Sequence, residues 1–267
     1  MLIRYLKSSK FKKNIPEWIA VLALLLIFFY VVEPARPFQR QFKLSDPTLQ
    51  HPFATTERVT DNQLYMLSCI LPLTIILVIT NLRRTNNVNL NNLHVLQISL
   101  LGLFASLSVN GVITDILKNW IGRPRPDFLA RCGPTPTTPP NTYVGIEVCT
   151  APLGQMYLLD GGKSTPSGHA SLSFAGLFYL YLWFIGQFKL RRESYLWQHL
   201  VAIIPIILAS YVGLSRTQDY RHHFLDIILG SGIGISVAFV VYFRYFPYLN
   251  LENSNVPITV EDDILPT

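Results

Sequence analysis

Residues 215–226 read SRTQDYRHHFLD: two arginines, two aspartates and two adjacent histidines, set between the apolar runs LVAIIPIILASYVGL and IILGSGIGISVAFVVYF. These residue types suit chemistry on an anion. Arg216 presents a planar fork that meets phosphate oxygens two at a time. His222 and Asp226 are four apart, so at the start of a helix they share a face. A carboxylate there accepts the N–H of one imidazole nitrogen and leaves the other as a nucleophile or base. His223, three residues from Asp226, meets the same condition nearly as well. Spacing alone leaves the choice between the two histidines open.

Two further polar sets carry matching chemistry. KNWIGRPRPDF, residues 118–128, brings Lys118 and Arg125 as fixed positive charge, and STPSGHAS, residues 164–171, stands just ahead of an apolar segment. Thr165 or Ser167 can cap that segment as a helix, with the free N–H groups around Ser167, Gly168 and His169 pointing at an anion. Gly168, lacking a Cβ, admits a close approach. His169 can give a proton to a leaving oxygen. Each set taken singly has an ordinary reading: RPRP as a loop anchor, PSGH as a turn and cap, the His–Asp spacing as a surface pair. Joint placement shifts the balance toward one shared anion site, because ionisable residues at the end of a membrane bundle are costly unless used.

The elements that must bring the sets together are membrane spans. Half of the 267 residues are hydrophobic and only 14 % are charged, against roughly 25 % in soluble domains. Apolar residues gather into blocks at 15–32, 64–82, 93–117, 170–188, 196–214 and 225–246, each near the ~20 residues that cross ~30 Å of hydrocarbon. Pro16 suits a first helical turn, and Pro72 and Pro205 are tolerable where neighbouring helices satisfy the freed backbone. The expected fold is therefore all-α, a polytopic membrane protein with six transmembrane helices. The loops after spans three and five share one face, so the three polar sets meet as an active site at one end of the bundle. The expected organisation is a basic segment over 1–14, the six-span domain over 15–246 and an acidic, disordered tail over 247–267. The first apolar block is followed by EPARPF with no small-x-small cleavage site, and is expected to remain as a span.

The net charge of +6 follows from topology and from anion binding. No RNA-binding motif or basic helix accompanies it, and no nucleic-acid partner is expected. Basic residues divide evenly between the two faces. Those on the face of the termini, including Lys10, Lys12, Lys13, Arg83 and Arg84, lie close to helix ends, which favours cytosolic termini and a lumenal active site. Cys69 falls inside the second span as a buried apolar residue. Cys132 and Cys149 share the long loop after span three. If that loop faces a lumen they can pair and tie down the Pro-rich GPTPTTPP.

Lys118 with Arg125-Pro126, Pro166-Ser167-Gly168-His169, and Ser215-Arg216 followed by His222 and Asp226 together resemble the three signatures of the type 2 phosphatidic acid phosphatase family, the lipid phosphate phosphatases. None of these residues departs from the pattern. HPFATTERV at 51–59, KNWIGRPRPDFLARC, LLDGGKSTPSGH and SRTQDYRHHFLDIILGS extend the likeness, toward fungal members acting on diacylglycerol pyrophosphate, across most of 45–246. The resemblance implies that His222 rather than His223 attacks phosphorus, forming a phosphohistidine, with Asp226 orienting it and His169 protonating the departing oxygen. It implies that Lys118, Arg125, Ser167, Gly168 and Arg216 hold the phosphate oxygens, with no cofactor and no metal. The implied substrates are phospholipids in the bilayer: diacylglycerol pyrophosphate, losing its terminal phosphate, and phosphatidate. The implied location is the vacuole or another endomembrane, and the oligomeric state is left open. Arg123 and Arg221 are extra cations that would suit a pyrophosphate, or serve as plain loop contacts. Sphingoid-base or polyprenyl phosphates as substrates, and a non-catalytic lipid-binding or transport role, are the competing expectations. The vanadate-dependent haloperoxidases share the constellation, but they are soluble.

Overall fold

The computed structural model describes residues 2–82 and 90–258. Six helices in it are long and apolar enough to cross a membrane. They are α1 (Ile15–Ile27, continued by a π-helical turn over Phe28–Val32), α2 (Asp61–Leu82), α3 (Leu90–Ile121), α4 (Gly168–Gln187), α5 (Leu196–Gln218) and α6 (Phe224–Tyr245). Pro16 sits in the first turn of α1, and Pro205 lies inside α5. Thr60 opens α2 with a reciprocal capping box to Gln63.

Two helices overrun their apolar blocks in a way that matters for the site. α3 continues to Ile121 and α5 to Gln218, so Lys118 and Arg216 lie on final helical turns rather than in loops. Hydropathy marks only the stretch that lipid demands. Cations near a helix C-terminus are compatible with the helix and favoured by its dipole.

α4 is the central helix and packs against α3, α5 and α6. Its contact with α6 is close because small residues face it. A Cβ on Gly234 would lie 2.3 Å from the Ser171 carbonyl oxygen, and one on Gly230 2.5 Å from that of Ser167. Within lipid the apolar exterior gives helices little reason to associate, so close packing and interhelical hydrogen bonds must hold them. α3 and α4 supply the latter: Ser106 Oγ donates to the Ala175 carbonyl at 2.8 Å, Thr114 Oγ1 to Ser171 Oγ at 2.9 Å, and Trp183 Nε1 to Ser99 Oγ at 2.8 Å. Ile76, Leu101, Ala175, Leu180, Trp183 and Ala238 fill the buried interior. Leu200, Ile204, Ile207, Phe239 and Val240 are exposed, as lipid-facing residues must be.

At one end the α1–α2 and α3–α4 connections form a cap. It holds short helices at Phe128–Cys132 and Gln155–Asp160 and a small core of Phe42, Leu49, Phe128, Cys132 and Leu158. The expected pairing of Cys132 with Cys149 is present as a disulfide within this cap. The opposite end corrects one expectation. Residues 247–258, read as the start of a disordered tail, fold back onto the α4–α5 turn. There Arg191 donates to the Leu249 and Leu251 carbonyls, and Ser254 is buried. The pattern of polar residues concealed this, because the partners are backbone carbonyls. The remainder of that tail, 259–267, and the pair Arg83 and Arg84 lie outside the described residues.

Gly234→Val should drive a side chain into the α4 backbone. The expected cost is about 1–3 kcal/mol or more, as for overpacking elsewhere, read as a lowered unfolding midpoint of the detergent-solubilised protein. An unchanged midpoint would contradict the close α4–α6 approach.

Candidate active site

The three polar sets converge at the capped end of the bundle. His222, in the short α5–α6 turn, is 3 % exposed. Its Nδ1 lies 2.7 Å from the Ser164 carbonyl oxygen. A carbonyl only accepts, so Nδ1 carries the proton and Nε2 keeps its lone pair. Arg125 Nη1, which only donates, lies 3.4 Å from that Nε2. The two contacts agree on one tautomer, with a lone pair directed among cations. Burial, then the positive charges of Arg125, Arg216 and Lys118, and then His169, push His222 well below the ordinary histidine range, so the ring is neutral at neutral pH.

Asp226 stands differently from its expected role. Its carboxylate is 3.9 Å from His222 Nδ1, beyond hydrogen-bond reach. Instead it accepts from Ser164 Oγ at 2.6 Å, from Thr165 Oγ1, from the His223 backbone N–H at 2.9 Å and from Arg123 Nη1 at 3.0 Å. Asp226 therefore anchors the residue whose carbonyl holds His222, and orients the imidazole at one remove. His223 caps α6 and has its own Nδ1 3.3 Å from Asp226, which places it in the anchoring layer beside His222. Arg123 is engaged with Asp226, in keeping with the loop-contact reading.

The expected phosphate ligands all reach this place. Ser167 is the N-cap of α4, its Oγ accepting from the Ala170 N–H at 3.4 Å. The face at Gly168 is so close to Lys118 that a Cβ there would lie 2.7 Å from Nζ. His169 follows in the first turn of α4, and its Nε2 is 3.1 Å from the Val59 carbonyl oxygen. That geometry makes Nε2 the protonated nitrogen.

Each cation has an acidic companion. Lys118 Nζ is 3.0 Å from Asp115 Oδ1. Arg125 donates to the Asp160 carboxylate at 2.8 Å and to its carbonyl at 2.9 Å. Arg216 meets Glu57 at 2.9 Å and Asp219 at 3.4 Å, and donates to the Val59 carbonyl at 2.9 Å. Burial opposes the ionisation of Asp160, but Arg125, Arg131 and Lys118 outweigh it and hold the carboxyl well below the usual range. Among the described residues, no three His, Cys, Asp or Glu side chains are grouped to hold a metal ion.

Sequence reasoning missed these companions. Glu57 and the Ser164 carbonyl belong to irregular stretches and Asp160 ends a short helix of the cap, and no spacing rule links them to partners far along the chain. The one available signal was that 51–59 and 158–169 already extended the family likeness.

Residues 99–249 match the PAP2 superfamily. The chain is 42 % identical over 252 residues to diacylglycerol pyrophosphate phosphatase 1 of Saccharomyces cerevisiae, covering 93 % of this chain and 85 % of the relative. It is 40 % identical to the probable diacylglycerol pyrophosphate phosphatase 1 of Schizosaccharomyces pombe, covering 94 % and 88 %. It is 33 % identical to lipid phosphate phosphatase 2 of Arabidopsis thaliana, covering 86 % and 77 %. No solved structure matches the chain. With the signature residues gathered around one buried histidine and these likenesses running through nearly the whole chain, the protein belongs to the PAP2 superfamily.

Proposed function

We propose that this integral-membrane phosphatase removes the terminal phosphate of diacylglycerol pyrophosphate and dephosphorylates phosphatidate to diacylglycerol, through a phosphohistidine on His222. The observation that carries the reading is the state of His222: neutral, with Nδ1–H tied to a carbonyl and Nε2 unprotonated beside Arg125. The names of the fungal relatives support the choice of lipid.

In the first step the Nε2 lone pair attacks phosphorus and the bond to the leaving oxygen breaks. His169 enters this step as the imidazolium, keeps its Nε2–H on the Val59 carbonyl and passes its Nδ1 proton to that oxygen, becoming neutral. The oxygen belongs to phosphatidate in one reaction and to diacylglycerol in the other. In the second step water attacks phosphorus, His169 takes its proton, and the N–P bond breaks to release phosphate. Lys118, Arg125, Arg216 and the N–H groups at Ser167 and Gly168 bind the phosphoryl oxygens as charge is redistributed. As His222 becomes cationic in the phosphohistidine, the Ser164 carbonyl still accepts its Nδ1–H. The cations supply the neutralisation a divalent metal gives in other phosphatases, so hydrolysis should proceed with EDTA present. A headgroup-level pocket lets the acyl chains stay in the bilayer while the phosphate enters.

The proposed orientation puts the termini in the cytosol and the pocket in the lumen of the vacuole or another endomembrane. A disulfide in the cap suits an oxidising compartment.

Purified protein should release phosphate from both lipids in EDTA, and His222→Ala should lose about 10³-fold or more in kcat. Near-wild-type turnover in that variant would remove His222 from the mechanism, and wild-type silence on both lipids would redirect the reading to sphingoid-base or polyprenyl phosphates. The nucleophile must be unprotonated, and its folded pKa is depressed. Activity should therefore persist through pH 6.5 on the way down, with the acid limb of the kcat/KM profile below that value. A limb at or above 6.5 would mean that His222 is not held as described. In sealed vesicles, a membrane-impermeant reductant and thiol label should reach Cys132 and Cys149 only from the lumenal side. Labelling from the cytosolic side would invert the orientation.

A further inference from the structure

Glu57 bridges Arg216, a residue of the third signature, and Arg221, five residues further on and next to His222. Its Oε2 lies 2.9 Å from Arg216 Nη2, and its Oε1 accepts from Arg221 Nη2. It comes from the α1–α2 connection, from a stretch with no regular secondary structure, and its side chain is 21 % exposed, against 3 % and 8 % for the two arginines. Burial opposes its ionisation, yet Arg216 and Arg221 outweigh that and keep the carboxyl below its usual range. Two oxygens spread across two guanidinium groups is also how a phosphoryl group would sit there.

We propose that Glu57 is a place-holding anion: its carboxylate occupies the position of a substrate phosphoryl group between Arg216 and Arg221, and substrate binding displaces it. This rests on the reading of the pocket as a phosphate site.

The two arginines do not need Glu57 to stay aimed. Arg216 keeps the Val59 carbonyl and Asp219, the latter only 5 % exposed. Arg221 keeps the Phe53 ring 4.6 Å beneath its guanidinium and the buried Asp127 at 3.6 Å. Those partners are interior and fixed, whereas Glu57 is the exposed member on an irregular segment. Both guanidinium groups also retain a buried Nε with no partner among the described residues, so each keeps donor capacity for an incoming oxyanion. An empty pocket of this kind would otherwise confine two adjacent buried cations with too little counter-charge, a costly arrangement. Glu57 removes that cost in the free enzyme, and in doing so competes with phosphate and weakens the hold on product.

The test uses the full chain in detergent with inorganic phosphate and orthovanadate as probes, measured by calorimetric titration. Glu57→Gln should bind both roughly tenfold more tightly than wild type, since it keeps the shape and loses the competing charge. Asp219→Asn separates this from a general gain of positive charge. It also removes a negative charge from Arg216, but an aiming one, and should leave affinity equal or weaker. Equal tightening in both variants, or unchanged or weaker binding in Glu57→Gln, would overturn the proposal. Should Glu57→Gln fold poorly, a spin label at the exposed Thr55, in a Cys69→Ser background, reads the same event with the pair intact. Phosphate should change the label's mobility, and an unchanged spectrum under saturating phosphate would count against displacement. A wild type that binds neither probe would fail the phosphate-pocket reading as well, which distinguishes that failure from the failure of Glu57 alone.

Discussion

The whole capped end of the bundle hangs on one buried carboxylate. Asp226 is completely inaccessible, and it gathers Ser164, Thr165, Arg123 and the His223 N–H, while its own carbonyl accepts the Ser167 N–H at 2.9 Å. These groups come from both ends of the α3–α4 connection, the N-cap of α4 and the start of α6. A buried carboxylate left without partners would be prohibitively costly, so each bond is obligatory. Satisfying the charge therefore fixes where α6 begins relative to α4. It also fixes the Ser164 carbonyl, and through that carbonyl the tautomer of His222.

The same requirement spreads outward as a balance of charge. Lys118 with Asp115, Arg125 with Asp160, Arg131 with Asp127 and Arg216 with Asp219 each join a cation to an anion on a rigid or capped element. Without these companions, the field that lowers the pKa of His222 would also drive the cap away from the bundle. With them, the cations stay in place before any phosphate arrives, and little reorganisation is left for the moment of reaction. Arg131 and Arg221 additionally each set a guanidinium over the Phe53 ring, at 5.0 Å and 4.6 Å. The α1–α2 connection is thereby joined to the α5–α6 turn through an aromatic ring as well as through charge.

How much of this was legible depended on whether the information was local. Six spans were legible because lipid imposes a run of apolar residues wherever a helix crosses. His222, His169, Arg216, Arg125 and Lys118 were legible as candidates because reactive residues were set at short, fixed spacings beside those runs. His222 and Asp226 are near neighbours, but the hydrogen bond that their i,i+4 spacing suggested is not made, because His222 precedes α6 and its Nδ1 lies 3.9 Å from the carboxylate. The ring bonds to a backbone carbonyl fifty-eight residues back, and backbone atoms leave no mark in composition. Glu57 was hidden for a related reason: an acidic residue in a loop is usually a solvated one, and only the fold reveals that it meets two buried arginines. The folded part of the C-terminal segment was missed likewise, because Arg191 holds it through carbonyls.

Packing deep in the bundle and chemistry at its end prove to be one problem. His169 and His222 lie on either side of the junction where α4 and α6 begin, and their separation is set by how closely those helices approach. Gly230 faces the carbonyl of Ser167, the α4 N-cap itself, and Gly234 faces Ser171 one turn further in. A side chain at either glycine would push the two N-termini apart. Such a shift would part His222 from His169, the proposed nucleophile and proton donor, even with every signature residue present. A misplacement of about 1 Å is enough to cost about a hundredfold in rate. The small-residue seam in the α4–α6 interface therefore belongs to the proposed catalytic apparatus as much as to the fold. It positions both histidines without touching either of them.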